Sequence, residues 1–282
     1  MTRVKSRESR VEGRGTPERS VSRLPALIVA WRSDAGGIAP SVIEFLDKKL
    51  GFEVFGEIEP LGFFSLDGVR IEDDLIQFPE SRFCLCRARN IIILDSDAPS
   101  REHYQFLNAV LDFAQHHFKV KELYTIGGIV SASAHLSPRQ VFSVVNRRKL
   151  KGELAPYGVE INMDYQTPPG SMPTLSSFLL WVAKKRGIPG CGLWVNVPFY
   201  LSAVGDPTAS KYLLEVLDRR FELGLDFKEL NREIEKLNED VDQLMRQDAD
   251  ISRYIQMLER GIALSESEGE KLAQEVAGFV KR

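Results

Sequence analysis

From Cys191 to Leu230 the chain reads CGLWVNVPFYLSAVGDPTASKYLLEVLDRRFELGLDFKEL. Gly192–Val197 is a short apolar run of strand length, and Pro198-Phe199-Tyr200 turns the chain out of it. Asp206 followed by Pro207 is a helix opening, because an acidic N-cap satisfies free N–H groups and proline at the first helical position loses nothing. Asp226 opens a second helix in the same way. A strand that hands over directly to helices is an α/β unit, and nothing in the stretch is catalytic chemistry.

Working outward, the same alternation recurs. Ala26–Trp31 (ALIVAW) reads as a strand, followed by the polar loop Arg32–Gly37 and a helix starting at Pro40. Phe52–Ile58 is a second strand, and Leu61–Phe78 reads as one or two strands at a sheet edge. Phe83–Arg87 and Asn90–Leu94 form a hairpin turning at Ala88 and Arg89. NIIIL at 90–94 is apolar at nearly every position, the pattern of a strand buried on both faces. A helix over Arg101–Phe118 capped by Ser100, a strand Leu123–Ile126 ended by Gly127-Gly128, and a strand Val141–Val145 follow. Ile161–Met172 is loop-like, and a helix over Leu175–Arg186 precedes the last strand. Strand–helix alternation of this kind predicts a central parallel or mixed sheet between helix layers.

The end of the chain differs in kind. Phe227, Leu230, Ile234, Leu237, Val241 and Leu244 recur at alternating spacings of three and four, a seam suited either to packing on the body or to self-association. Asp226 with Glu229, and Ser265 with Glu268, resemble capping boxes. The resulting division is a basic tail expected to be disordered (1–23), an α/β domain (24–225) and a C-terminal helical region (226–282). The tail holds seven basic and three acidic side chains, net +4; with −3 for the whole chain, the remainder carries −7. An acidic body argues against nucleic acid as the main partner. No stretch offers the ~20 uninterrupted apolar residues of a membrane span. Cys84, Cys86 and Cys191 sit in strand-like runs, as reduced cysteines of a cytoplasmic protein do, and lack zinc-site spacing.

The sequence offers few groups for chemistry. Gly36-Gly37 lies between a strand and a helix, where N–H groups can cradle an anion, but neither nucleotide fingerprint is met. Asp95-Ser96-Asp97 follows a buried strand, a position suited to a ribose-binding carboxylate, a general base or simple turn caps. His116 and His117 are adjacent on one helix, a poor metal pair. His135 has Ser131, Ser133 and Ser137 nearby. No catalytic, cofactor-binding or metal-binding residue is assigned. Asp34, Gly36, Gly127, Gly128 and His135 form the candidate sheet-edge pocket, the place where open α/β sheets take ligands.

Several blocks, in order, resemble the proteasome assembly chaperone family, in the branch of the second chaperone and its prokaryotic members. They are Ser33-Asp34-Ala35-Gly36, Glu57-Ile58-Glu59-Pro60, Pro79-Glu80-Ser81-Arg82-Phe83, Gly127-Gly128 with His135, Pro198-Phe199-Tyr200-Leu201 and Pro207-Thr208-Ala209. The resemblance implies a phosphorylase/hydrolase-like sandwich assembled into homo-oligomers, often trimers. It also implies a non-catalytic assembly chaperone or interaction module whose partners are proteasome subunits or another protein assembly. The alternative is a nucleoside- or phosphate-type small-molecule protein or enzyme using the sheet-edge pocket. The chain departs from the family's proteasome-docking tail, since Lys281 stands where tyrosine is expected.

Overall fold

The computed structural model describes residues 4–6, 25–65, 70–72 and 74–280. In chain order these form β1 (Val4–Ser6), β2 (Ala26–Trp31), α1 (Ile38–Leu50), β3 (Glu53–Ile58), β4 (Arg70–Glu72), β5 (Leu75–Gln77), β6 (Ser81–Cys86) and β7 (Ile91–Ser96). Then follow α2 (His103–Phe118), β8 (Glu122–Ser131), β9 (Val141–Val145), α3 (Lys149–Leu154), α4 (Leu175–Lys185), β10 (Gly190–Pro198) and α5 (Pro207–Phe221). The chain continues through α6 (Lys228–Gln247), α7 (Ala249–Glu259) and α8 (Glu266–Val280).

One mixed sheet runs in the order β1-β3-β6-β7-β2-β8-β10-β9. Its centre, β7-β2-β8-β10, is parallel, and β3, β6 and β9 pair antiparallel outside it. Period-two alternation sends successive side chains to opposite layers. Ala26, Ile28 and Ala30 of β2 face the α1 and α5 layer, while Leu27, Val29 and Trp31 face α2 and α4. The fold is therefore α/β, a mixed sheet flanked by helices, with C-terminal helices added to one layer.

The heptad seam has its partner within the chain. Leu230, Leu237, Val241 and Leu244 are buried in the same apolar cluster as α1 and α5. Ile251, Ile255, Leu258, Leu272 and Val276 extend that cluster through α7 and α8. The body core is thus continuous across residue 226.

Several local expectations are corrected. Gly127-Gly128 does not end a strand; β8 runs through both glycines to Ser131. Among the described residues Leu61–Phe78 adds no strand to the main sheet, because β4 and β5 form a separate two-stranded sheet. Ser100 does not cap α2: its N–H donates to the Phe63 carbonyl at 2.9 Å, and Glu102 in the left-handed region precedes the helix instead. The Asp226–Glu229 box is not closed either. Asp226 accepts from the Lys228 N–H at 3.0 Å, while Glu229 pairs with Lys48 and Lys49 of α1. Ser265 does receive its box partner, its N–H donating to Glu268 Oε2 at 2.9 Å. Val4–Ser6, within the expected disordered tail, lies antiparallel on β3, where it covers an otherwise unpaired edge. The rest of that tail, Leu24, Lys281 and Arg282 lie outside the described residues.

Candidate functional site at the strand carboxyl ends

The parallel strands β2 and β7 end level with Gly127 of β8, while β8 and β10 run on to Ser131 and Pro198, and the loop from Trp31 to Ile38 crosses β8 at Gly127-Gly128. Gly36 and Gly37 take positive φ (+73° and +59°), which lets the loop turn into α1 without strain. The turn brings the Asp34 carboxylate onto β8. The Gly128 N–H donates to Asp34 Oδ1 at 3.0 Å and Oδ2 at 3.1 Å, and the Ala39 N–H donates to Oδ2 at 2.9 Å. Asp34 therefore occupies the anion position at the start of α1 that Gly36-Gly37 suggests. Burial pushes its pKa above the ordinary 3.8, against the pull of the N–H donors.

The two strand glycines make this approach possible. A Cβ at Gly128 would lie 2.2 Å from the Ala35 carbonyl oxygen, and one at Gly127 would lie 2.7 Å from Asp34 Oδ1. Neither separation is compatible with a side chain at rest.

Asp34, Gly127 and Gly128 also line a cleft of about 600 Å3 between the sheet edge, the N-terminus of α4 and the loop before it. Trp31, Ile126 and Trp194 form its floor, and Met163, Tyr165 and Met172 reach in from the loop. The Trp31 indole N–H donates to Ser176 Oγ at 3.1 Å, fixing α4 against β2. Gly36 lies outside this cleft; it lines a separate groove of about 660 Å3 toward α6.

His135 does not reach the cleft either. It is 3% exposed, its N–H donates to Tyr200 Oη at 2.6 Å, and its Nδ1 lies 3.0 Å from the same oxygen. His135 Nδ1 and Tyr200 Oη thus share one hydrogen bond, and Nε2 has no partner among the described residues. Burial pulls the His135 pKa below the ordinary 6.5, with Asp242 and Asp206 opposing it and Arg139 assisting. Next to it Arg139 Nε donates to Asp206 Oδ2 at 2.7 Å, both side chains having no exposure, and Asp206 Oδ1 caps α5 through the Ala209 N–H at 3.0 Å.

The carboxylates of the Asp95-Ser96-Asp97 segment are engaged as well. Arg32 Nε and Nη2 donate to the two Asp95 oxygens at 3.0 and 2.8 Å, and Nη1 donates to Asp97 at 3.3 Å. Asp95 raises the Arg32 pKa further, the largest cause being their hydrogen bond. Asp97 also accepts the Glu80 N–H at 2.9 Å, and Ser96 pairs with Ser81 at 2.6 Å between hydroxyls. Arg32, Arg139 and Trp194 are residues to which sequence reading gave no role. Arg32 opens a polar loop and Arg139 sits between Pro138 and Gln140, so nothing local marked either as one half of a buried or half-buried ion pair.

Among the described residues no group of three or more His, Cys, Asp or Glu could hold a metal ion. The cysteines are free thiols, with Cys84 pushed up to about 11 by burial. Elsewhere on the surface, the β4–β5 hairpin leaves Ile71, Leu75 and Ile76 between 62% and 69% exposed.

Comparison with known proteins agrees with this architecture. A protein of unknown function from Corynebacterium glutamicum superposes with a TM-score of 0.74 at 21% identity, covering 92% of this chain and 96% of that one. A proteasome-assembly chaperone homologue from Mycobacterium tuberculosis does so at 0.68 and 17% identity, covering 82% and 99%. An archaeal proteasome activator from Pyrococcus furiosus does so at 0.65 and 20% identity, covering 81% and 96%. No curated protein matches the sequence. Residues 27–245, which run from β2 into the seam of α6 and include the Asp34 latch, match the sequence model of the PAC2 family; the chain belongs to that family.

Proposed function

We propose that this protein is a non-catalytic, oligomeric member of its family that acts through protein contacts, as an assembly chaperone or interaction module. One observation carries the reading. The strand-end groups that acid–base chemistry would draw on are already bonded within the fold: Asp34 to Gly128 and Ala39, Asp95 and Asp97 to Arg32, His135 to Tyr200. The exposed Ile71, Leu75 and Ile76 supply apolar surface of the kind that protein contacts cover. The names of two structural neighbours, a proteasome-assembly chaperone homologue and a proteasome activator, support proteasome subunits as the partner class.

Among the described residues no helix is long and apolar enough to cross a membrane. The proposal places the protein in the cytoplasm, in keeping with three free cysteines. A phosphate-directed reading of the cleft has less support, since its lining offers no Lys, Arg or His among the described residues.

Native mass spectrometry of the full chain, alone and mixed with proteasome α-subunits, tests the proposal. The expected result is a discrete oligomer that retains a subunit partner. A strict monomer at micromolar concentration with no retained partner would overturn it.

A further inference from the structure

The cleft at the end of β2, beside the middle of β8 and β10, has a composition of its own. Trp194 of β10, opposite Phe142 of β9 in the sheet, lines it and is half-buried. Its neighbour Trp31 is buried and committed to Ser176. On the opposite side Tyr165 is 77% exposed and Met172 is 70% exposed. Tyr165 and Met172 line the cleft from the loop before α4 and Trp194 lines it from β10, so one cavity is lined by a phenol ring, a thioether and an indole. Aromatic faces and methionine are the surfaces that hold planar apolar molecules.

Charge narrows the class. The lining described contains no Lys, Arg or His, and its one carboxylate, Asp34, already accepts the Gly128 N–H on both oxygens and the Ala39 N–H on Oδ2. An anion would find no cation there, and a cation would meet a carboxylate already neutralised in part by backbone donors and the start of α1. The remaining polar side chains of the lining are all hydroxyls, among them Ser33, Thr167 and Ser171, and hydroxyls suit the ring nitrogens and carbonyls of a neutral heterocycle. A volume of about 600 Å3 matches a small molecule rather than a folded partner.

We propose that this cleft binds an uncharged planar heteroaromatic small molecule, stacked on Trp194 and covered by Tyr165 and Met172. This site goes beyond the protein-contact reading above and holds or fails independently of it.

The chain has three tryptophans, so Trp181→Phe leaves indole emission from Trp31 and Trp194 alone. That variant is titrated with caffeine and with quinoline near pH 8, with benzoate and inorganic phosphate in parallel, and ligand-observed saturation-transfer NMR on the unaltered chain provides a second readout. The expected result is saturable quenching by caffeine or quinoline, with at least about tenfold weaker binding of benzoate, a difference of ~1.4 kcal/mol. Tyr165→Ala is expected to weaken caffeine or quinoline binding about fivefold or more, roughly 1 kcal/mol, without moving the urea midpoint, because the side chain is largely exposed. No saturable binding of either heterocycle below about 5 mM would overturn the proposal. Binding untouched by Tyr165→Ala would overturn the assignment to this cleft, and binding of benzoate or phosphate as tight as the heterocycles would overturn the uncharged class.

Discussion

Gly128 is the position where a single methyl group does most damage per atom. In Gly128→Ala the new Cβ would sit 2.2 Å from a backbone oxygen, that of Ala35, and 3.1 Å from Ile38 Cγ1. Neither backbone can swing aside like a side-chain tip, so the Trp31–Ile38 loop must lift by roughly 1 Å. Overpacking of this kind costs about 1–3 kcal/mol. Lifting the loop also lengthens the Gly128 N–H bond to the Asp34 carboxylate, and a hydrogen bond to a charged group contributes about 1.5–3 kcal/mol. The two together give ~2.5–6 kcal/mol, a large share of a domain's roughly 5–15 kcal/mol. Gly127→Ala should cost less, about 1–3 kcal/mol, because its Cβ meets the movable tip of Asp34 at 2.7 Å rather than backbone. Gly152→Ala is the control. It lies inside α3, nothing approaches its Cβ within 4 Å, and the change should stabilise by about 0.4–1 kcal/mol. Urea unfolding of the three variants, with the slope m unchanged, reads the order directly. Combining Asp34→Ala with Gly127→Ala should cost less than the sum of the two, since the first removes the atom the second strikes. A Gly128→Ala cost below about 0.5 kcal/mol, the range of a neutral surface change, would refute the latch.

Three further outcomes follow from the packing. Arg139→Leu leaves Asp206 as an unpaired buried charge and should cost about 3–5 kcal/mol in urea unfolding; the Arg139→Leu/Asp206→Asn pair should cost less than the two single changes together. His135 is held neutral, its folded pKa lying below the ordinary 6.5, so its contribution to stability is complete above that value and is lost as pH falls through the folded pKa. Unfolding free energies at pH 7.5 and pH 5.5 should differ more in the unaltered protein than in His135→Gln, and an equal difference would show that His135 does not titrate with folding. Leu244→Ala, in the seam of α6, should cost about 2–5 kcal/mol and lower a single unfolding transition seen alike by far-UV and tryptophan signals, because the seam packs on the body. A separate early loss of helical signal would instead make α6–α8 an independent unit.

How much of this was legible in the sequence depended on whether the signal was local. The apolar run Ala26–Trp31 became β2 with the same bounds, and Asp206-Pro207 opened α5 with its cap in place, since strand burial and N-capping are decided within a few residues. The 3-4 seam of α6 was equally visible, but its two possible partners, the body or another copy, write the same pattern. Only the packing of Leu237 and Val241 into the core shared with α1 and α5 separates them. Ser100 and Glu229 were misassigned for a related reason. Each had a local capping role available, and each was drawn to a partner far along the chain, the Phe63 carbonyl and the α1 lysines.

The candidate pocket shows the same division at closer range. Five residues were grouped because all lie near strand ends, yet strand ends at one sheet edge still face two layers. Gly127 and Gly128 are adjacent, so they present opposite faces; the first opens onto the cleft beside α4 and the second receives the loop that leads into α1. Gly36 and His135 follow the other layer, toward α6 and Tyr200. What unites Asp34 with the two glycines is reach, because here a carboxylate crosses to a neighbouring strand where that strand has no side chains. A glycine pair within a strand, preceded in sequence by an Asp-Ala-Gly-Gly turn, is thus the sequence mark of a loop latched onto a sheet edge. The latch settles the shape of the cleft beside Trp194, and its N–H donors offset part of the Asp34 charge there.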